Sequence, residues 1–247
     1  KIESSEKLNG ELAFSNVWMA YKEEEWVLKD INFSISSGEK IGLVGTTGSG
    51  KTTTVSLMSR LYDYQKGKIE LDGNSLRDYK RSYLRSQIGF VSQDAIIFRG
   101  PLRDNLSLDN PFADDEILKS CKETGLLSVM KKAELNLDSE ILEGGGNLSS
   151  GEKQLLALTR VLLNNPSFLI LDEATANIDP GYERIIHDAV DKVMTNRTCL
   201  IIAHRLETIK ECDRLFVFDK GRLVESGQPQ ELLNNKGFFY GLQSAEK

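Results

Sequence analysis

Apolar residues near the start of the chain recur at every second position, as in Leu12 and Phe14 and again in Ile31, Phe33 and Ile35. That is the period of half-buried strands, and it predicts an antiparallel sheet there. Three compact apolar runs follow at wide spacing: Ile41 to Val44, Phe168 to Leu171 and Cys199 to Ala203, each ending at a polar or glycine position. They read as buried parallel strands whose carboxyl ends meet, the edge at which open parallel sheets bind ligands. From about Asp104 to Asn164, Leu, Lys, Glu and Ala fall at helical spacing, broken by Gly144-Gly145-Gly146. A helical insertion into the sheet domain fits that pattern. Arg214 to Phe218 and Arg222 to Glu225 flank Asp219-Lys220-Gly221, a hairpin signal, before a polar helical tail. The prediction is one α/β domain over 1–247, with a β-subdomain and core at about 10–93 and 165–247 and a helical subdomain at about 94–164.

Composition narrows this picture. The 247 residues, 40% of them hydrophobic, suffice for a large core. Lys and Arg total 31 against 37 Asp and Glu, a net charge of -6 with no dense basic block, which argues against nucleic acid as a partner. Cys121, Cys199 and Cys212 form no framework spacing, so they read as buried small hydrophobes in a reducing compartment. No apolar run approaches the roughly 18 residues that cross a bilayer. The chain opens at Lys1 without an initiator Met or a leader, and so reads as a domain excised from something longer.

Candidate chemistry begins at Gly45-Thr46-Thr47-Gly48-Ser49-Gly50-Lys51-Thr52, which fits G-x-x-x-x-G-K-[ST] between an apolar strand and a helical run, Thr53 to Leu61. Glycines let backbone N–H groups turn inward around phosphates, and the helix start adds positive potential. Lys51 neutralises the outer phosphates, and the Thr52 hydroxyl reaches Mg2+. A second constellation is Phe168-Leu169-Ile170-Leu171-Asp172-Glu173, a buried strand delivering two adjacent carboxylates. Asp172 suits the metal, and Glu173 suits polarising the attacking water. These two motifs alone leave kinases, recombinases and GTPases open.

Leu148-Ser149-Ser150-Gly151-Glu152 resembles the signature motif of ABC ATPases, and the likeness runs from Gly10 to about Leu233. It implies a P-loop NTPase, RecA-like, core that binds and hydrolyses ATP with Mg2+. Tyr21 matches the aromatic that stacks on adenine, and Thr53 continues the phosphate loop. Gln93 matches the glutamine that links the metal site to the transmembrane partner. Ala176-Asn177-Ile178-Asp179 matches the loop that crosses to the opposite subunit, and His204 the switch histidine that contacts the terminal phosphate. His187 has no such match. By the same resemblance, Ser149, Gly151 and Glu152 act in trans, closing over nucleotide held by another chain. The implied partners are a second nucleotide-binding domain and a transmembrane domain, at the cytoplasmic face of a membrane. Gly10 to Phe14, Ile97 to Gly100 and Glu143-Gly144-Gly145 resemble the exporter branch, in which membrane helices are fused upstream and Glu143 lies near their intracellular loops.

The signature usually reads Leu-Ser-Gly-Gly-Gln, so Ser150 and Glu152 are departures, as is Ala176 for a frequent serine. Glu152 adds negative charge where phosphate docks, an asymmetry that resembles one member of a heterodimeric transporter. A chromosome-maintenance or repair ATPase is disfavoured because about a hundred residues, with no sustained heptads, separate Lys51 from Ser149. A nucleotide-binding module without turnover stays open at this point, and so does an importer subunit that binds a separate membrane protein.

Overall fold

The computed structural model describes residues 1–3, 7–23, 25–92, 94–108, 110–172, 181–202 and 206–245. In chain order the elements are β1 (Leu12–Ala20), β2 (Trp26–Ile35), β3 (Lys40–Gly45), α1 (Lys51–Met58), β4 (Lys66–Leu71), β5 (Asn74–Ser75), α2 (Arg81–Ser86), β6 (Ile88–Val91), β7 (Gly100–Pro101) and α3 (Leu102–Ser107). Then come α4 (Asp114–Thr124), α5 (Leu126–Lys132), β8 (Glu140–Ile141), α6 (Ser150–Asn164), β9 (Phe168–Asp172), α7 (Glu183–Met194), β10 (Thr198–Ile202), α8 (Leu206–Lys210), β11 (Arg214–Asp219), β12 (Arg222–Gly227), α9 (Pro229–Asn235) and α10 (Phe238–Ala245). They fall into two compact units, one of Lys1–Ile88, Ser167–Ile170 and Arg197–Lys247, the other of Gly89–Pro166 and Leu171–Asn196.

The first unit holds two sheets around one apolar cluster. The antiparallel sheet has the order β2-β1-β4-β5, with Leu12 opposite Ile35 and Phe14 opposite Phe33, so the alternation read from the sequence faces one core. β4 was not anticipated: Lys66, Gly67 and Lys68 mask its pattern, and only Ile69 and Leu71 point inward. The second sheet has the order β12-β11-β3-β10-β9-β6; its last two strands begin in this unit, where the Ser167 and Phe168 N–H groups donate to the Gln87 carbonyl. β3 lies between β10 and β11 and is parallel to both, and Ile41 and Leu43 are fully buried. Continuous apolar runs are what strands covered on both faces require. β11 and β12 form the anticipated antiparallel hairpin.

The second unit is mainly helical. α6 packs against α3, α4, α5 and α7, and buries Leu155, Leu158 and Val161 along one side. Within this unit the Thr124 and Thr159 hydroxyls bond each other at 2.7 Å, satisfying two buried polar groups together. Arg160, nearly buried on α6, donates to the Ile96 and Asn105 carbonyls and, at 2.9 Å, to Asn105 Oδ1. Burial pushes its pKa down to about 10, and the acceptors around it are amide oxygens rather than carboxylates. All three cysteines are buried thiols.

Candidate functional site

The phosphate loop leaves the carboxyl end of β3, the middle of three parallel strands. Gly45 adopts φ +147° and sits opposite Phe218 of β11, whose carbonyl oxygen lies 2.2 Å from where a Cβ on Gly45 would stand. Strand β11 and the loop therefore touch backbone to backbone, a contact only glycine permits. Thr46, Thr47 and Gly48 are exposed at the rim, whereas Ser49 and Gly50 are buried. The loop is braced from behind: the Gly221 N–H of the β11–β12 turn donates to the Ser49 carbonyl at 3.0 Å, and the Lys29 N–H donates to the Gly221 carbonyl at 2.8 Å. Gly221 belongs to no motif, and its part in the cradle was not legible from its place in a hairpin turn.

α1 begins at Lys51, two residues before the start that the apolar pattern suggested. It has neither a side-chain N-cap nor an acid in its first turn. Its leading N–H groups and the positive end of its dipole thus face neither a capping side chain nor a first-turn carboxylate, the arrangement that receives phosphate. Lys51 is 6% exposed, and its ammonium donates to the Gly45 carbonyl at 2.6 Å and to that of Thr46 at 3.0 Å, which curls the cation over the loop. The Ser49 hydroxyl is buried and has no hydrogen-bond partner among the described residues. An orphaned buried donor inside a glycine cradle fits a ligand rich in acceptor oxygens.

Tyr21 stands beside this loop in the same unit. Its ring is 50% exposed, its hydroxyl shares a 3.1 Å hydrogen bond with Thr53 Oγ1 at the start of α1, and Tyr62 packs edge-on at 4.8 Å between centroids. An aromatic that is half in solvent yet anchored at two points is a ready face for a flat base. Tyr62, just beyond α1, was not anticipated from the sequence.

For a metal, the Thr52 side chain is exposed at the helix start, and Asp172 is half-buried at the end of β9 in the second unit. Among the described residues no cluster of three or more His, Cys, Asp or Glu exists that could cage an ion. A hydroxyl and a carboxylate are each donor types that Mg2+ accepts when substrate phosphates complete its shell. Gln93, Glu173, His204 and the 176–179 segment lie outside the described residues.

The signature segment lies in the second unit. Ser149 caps α6: its Oγ accepts from the Glu152 N–H at 3.3 Å, and Glu152 Oε2 accepts from the Ser149 N–H at 2.7 Å. This reciprocal capping box explains why an acid is tolerated here, because it satisfies two donors of the helix start. Ser150 is exposed and Gly151 buried. Glu143 is exposed in the turn before the segment, and His187 is exposed on α7.

A family model described as ABC transporter matches residues 28–176, which include the phosphate loop, the signature segment and Asp172. A probable multidrug resistance ABC transporter ATP-binding/permease protein of Bacillus subtilis is 41% identical over 245 residues, covering 99% of this chain and 36% of that protein. An ATP-dependent lipid A-core flippase of Alkalilimnicola ehrlichii is 41% identical over 245 residues, covering 98% of this chain and 41% of that one. Among solved structures, that of a bacterial Atm1-family ABC exporter with ATP bound matches with a TM-score of 0.89 and 31% identity, over 96% of this chain and 42% of that chain. The chain thus spans 36 to 42% of the length of these relatives.

Proposed function

Because this chain belongs to the ABC transporter family, as an ATP-binding and ATP-hydrolysing domain with a P-loop core, we propose that it is the motor of an exporter, working in pairs at the cytoplasmic face of a membrane. The observation that carries the proposal is the phosphate cradle at the end of β3, with its bare helix start and curled Lys51, in one chain with a signature segment that begins α6. The relative named as an ATP-binding/permease protein supports a transmembrane domain in the same polypeptide. Among the described residues no helix is long and apolar enough to cross a bilayer.

In the proposed cycle Tyr21 stacks on adenine, the N–H groups of Gly45 to Thr53 take the phosphates, and Lys51 balances the charge of the outer two. Thr52, Asp172 and Gln93 would hold Mg2+, which would supply charge neutralisation at the terminal phosphate. Glu173 orients the attacking water and receives its proton as the water oxygen bonds to phosphorus and ADP leaves, while His204 holds the terminal phosphate. Ser149, Gly151 and Glu152 of a second nucleotide-binding domain, identical or a sister chain, close the site from the other side. The helical stretch at about 94–164 is the arm that presents them, and the 176–179 segment meets the opposite chain. Closure draws the attached membrane helices toward an outward-facing state, and hydrolysis releases them.

Phosphate release tests the catalytic part. The wild-type chain turns over ATP, and Glu173→Gln retains ATP binding with turnover nearly abolished. Wild-type turnover in that variant removes Glu173 from its role, and no turnover in the wild type favours a module that binds without hydrolysing.

A further inference from the structure

The acid at the fifth signature place is not held by the capping box alone. Glu152 Oε2 is engaged by the Ser149 N–H, and the other oxygen, Oε1, accepts a hydrogen bond from the Tyr182 hydroxyl at 3.3 Å. The same tyrosine lies flat against Gly151: a Cβ added there would meet Tyr182 Cγ, Cβ and Cδ2 at 2.7, 2.8 and 2.9 Å. One side chain thus fixes two of the three signature residues expected to act in trans. Tyr182 directly precedes α7, in the same unit, and belongs to no motif.

We propose that Tyr182 is a positioning residue for the signature segment, its hydroxyl pinning the Glu152 carboxylate in the capping box and its ring setting the Gly151 backbone. The proposal rests on the reading that this segment meets nucleotide phosphate on a second chain. A carboxylate in the first turn of a helix draws on the same positive end that a phosphate uses, so the two anions compete. Without the tyrosine, Oε1 has lost its donor, and its charge lies at the helix start that the docking phosphate uses. The Tyr182 hydroxyl gives Oε1 a donor of its own and holds the carboxylate in place. The glutamine usual at this position carries no charge and has no need of such a partner, so Tyr182 and Glu152 form a compensated pair.

Tyr182→Phe keeps the ring against Gly151 and removes only the hydroxyl, so it separates positioning from packing. Hydrogen exchange, read by mass spectrometry on peptides covering 147–153 of the nucleotide-free chain, should accelerate about tenfold, the fold-change of one lost hydrogen bond to a charged group. In a Glu173→Gln background, Tyr182→Phe should weaken ATP-driven dimerisation by a similar factor, and adding Glu152→Gln should restore it. Exchange unchanged in Tyr182→Phe overturns the proposal, as does weakened dimerisation that Glu152→Gln leaves unrescued. A Glu173→Gln parent that stays monomeric with Mg-ATP refutes the trans reading instead. The exchange comparison needs no partner, and the rescue by Glu152→Gln separates positioning from a merely structural role.

Discussion

Alanine at Gly45 should be far more damaging than alanine at Gly48, although both are glycines of one phosphate loop. At Gly45 the added methyl meets the Phe218 carbonyl oxygen at 2.2 Å and Ser49 Oγ at 2.8 Å, with φ at +147°. Phe218 is paired in register with Gly45 across β3 and β11, so the obstacle is backbone in a central strand and cannot rotate aside. Overpacking of this kind costs about 1–3 kcal/mol, and a side chain held at an unfavourable φ about as much again. The sum, roughly 2–6 kcal/mol, is a large share of the about 5–15 kcal/mol that holds a typical domain together. At Gly48, φ is +77° but nothing lies within 4 Å, leaving only a left-handed strain of about 1–2 kcal/mol. Urea unfolding of the wild type and both variants, followed by circular dichroism, should give midpoints falling in the order wild type, Gly48→Ala, Gly45→Ala. Equal midpoints for the two variants, or a lower one for Gly48→Ala, would refute the idea that Gly45 exists to let β11 touch the loop.

Tyr21→Ala should lower ATP affinity by about 1–3 kcal/mol, the worth of one base on an aromatic face, and leave tripolyphosphate affinity unchanged by calorimetry. Tyr62→Ala should do the same more weakly, about 0.5–1.5 kcal/mol, because it removes the ring that steadies Tyr21; equal losses for ATP and tripolyphosphate would remove both tyrosines from base recognition. Arg160→Met takes the donor away from the Ile96 and Asn105 carbonyls and should cost roughly 2–4 kcal/mol in thermal unfolding, whereas an unchanged melting temperature would show that those bonds contribute nothing. Burial raises the thiols of Cys121, Cys199 and Cys212 to about 12. A thiol reagent at pH 8 should therefore leave the native chain untouched and label three cysteines on unfolding. Because the unfolded thiols ionise first, their contribution to stability is complete below about pH 8.5 and declines as pH rises toward 12; stability rising over that window contradicts their burial as neutral groups.

The strands were legible where a single physical rule governed them. Ile41 to Val44 and Cys199 to Ile202 are apolar throughout because both faces are covered, and Leu12, Phe14, Phe33 and Ile35 alternate because one face is. β4 escaped because three of its six residues, Lys66, Gly67 and Lys68, are exposed, leaving two inward positions with too short a period to read. At the site, the phosphate loop declares itself because glycines, lysine and threonine must occupy fixed places. The groups that hold it do not: Gly221 and Tyr62 act through a backbone amide and a ring edge that distant parts of the chain deliver. Glu152 illustrates the opposite gap. From the sequence it is a misplaced charge; in the structure it is a cap with both oxygens engaged, and the residue that completes it lies thirty positions away. Its presence is therefore no sign in itself of a failed site or of an unlike partner.

The central claim is that this chain holds one half of each ATP site and borrows the other. Sedimentation of the Glu173→Gln chain with and without Mg-ATP tests it most directly, since blocked hydrolysis preserves whatever assembly ATP builds. The expected result is a monomer without nucleotide and a dimer holding two ATP molecules with it, lost again on Lys51→Ala. A species that binds ATP at full occupancy and remains monomeric at every concentration would contradict the claim for an identical partner.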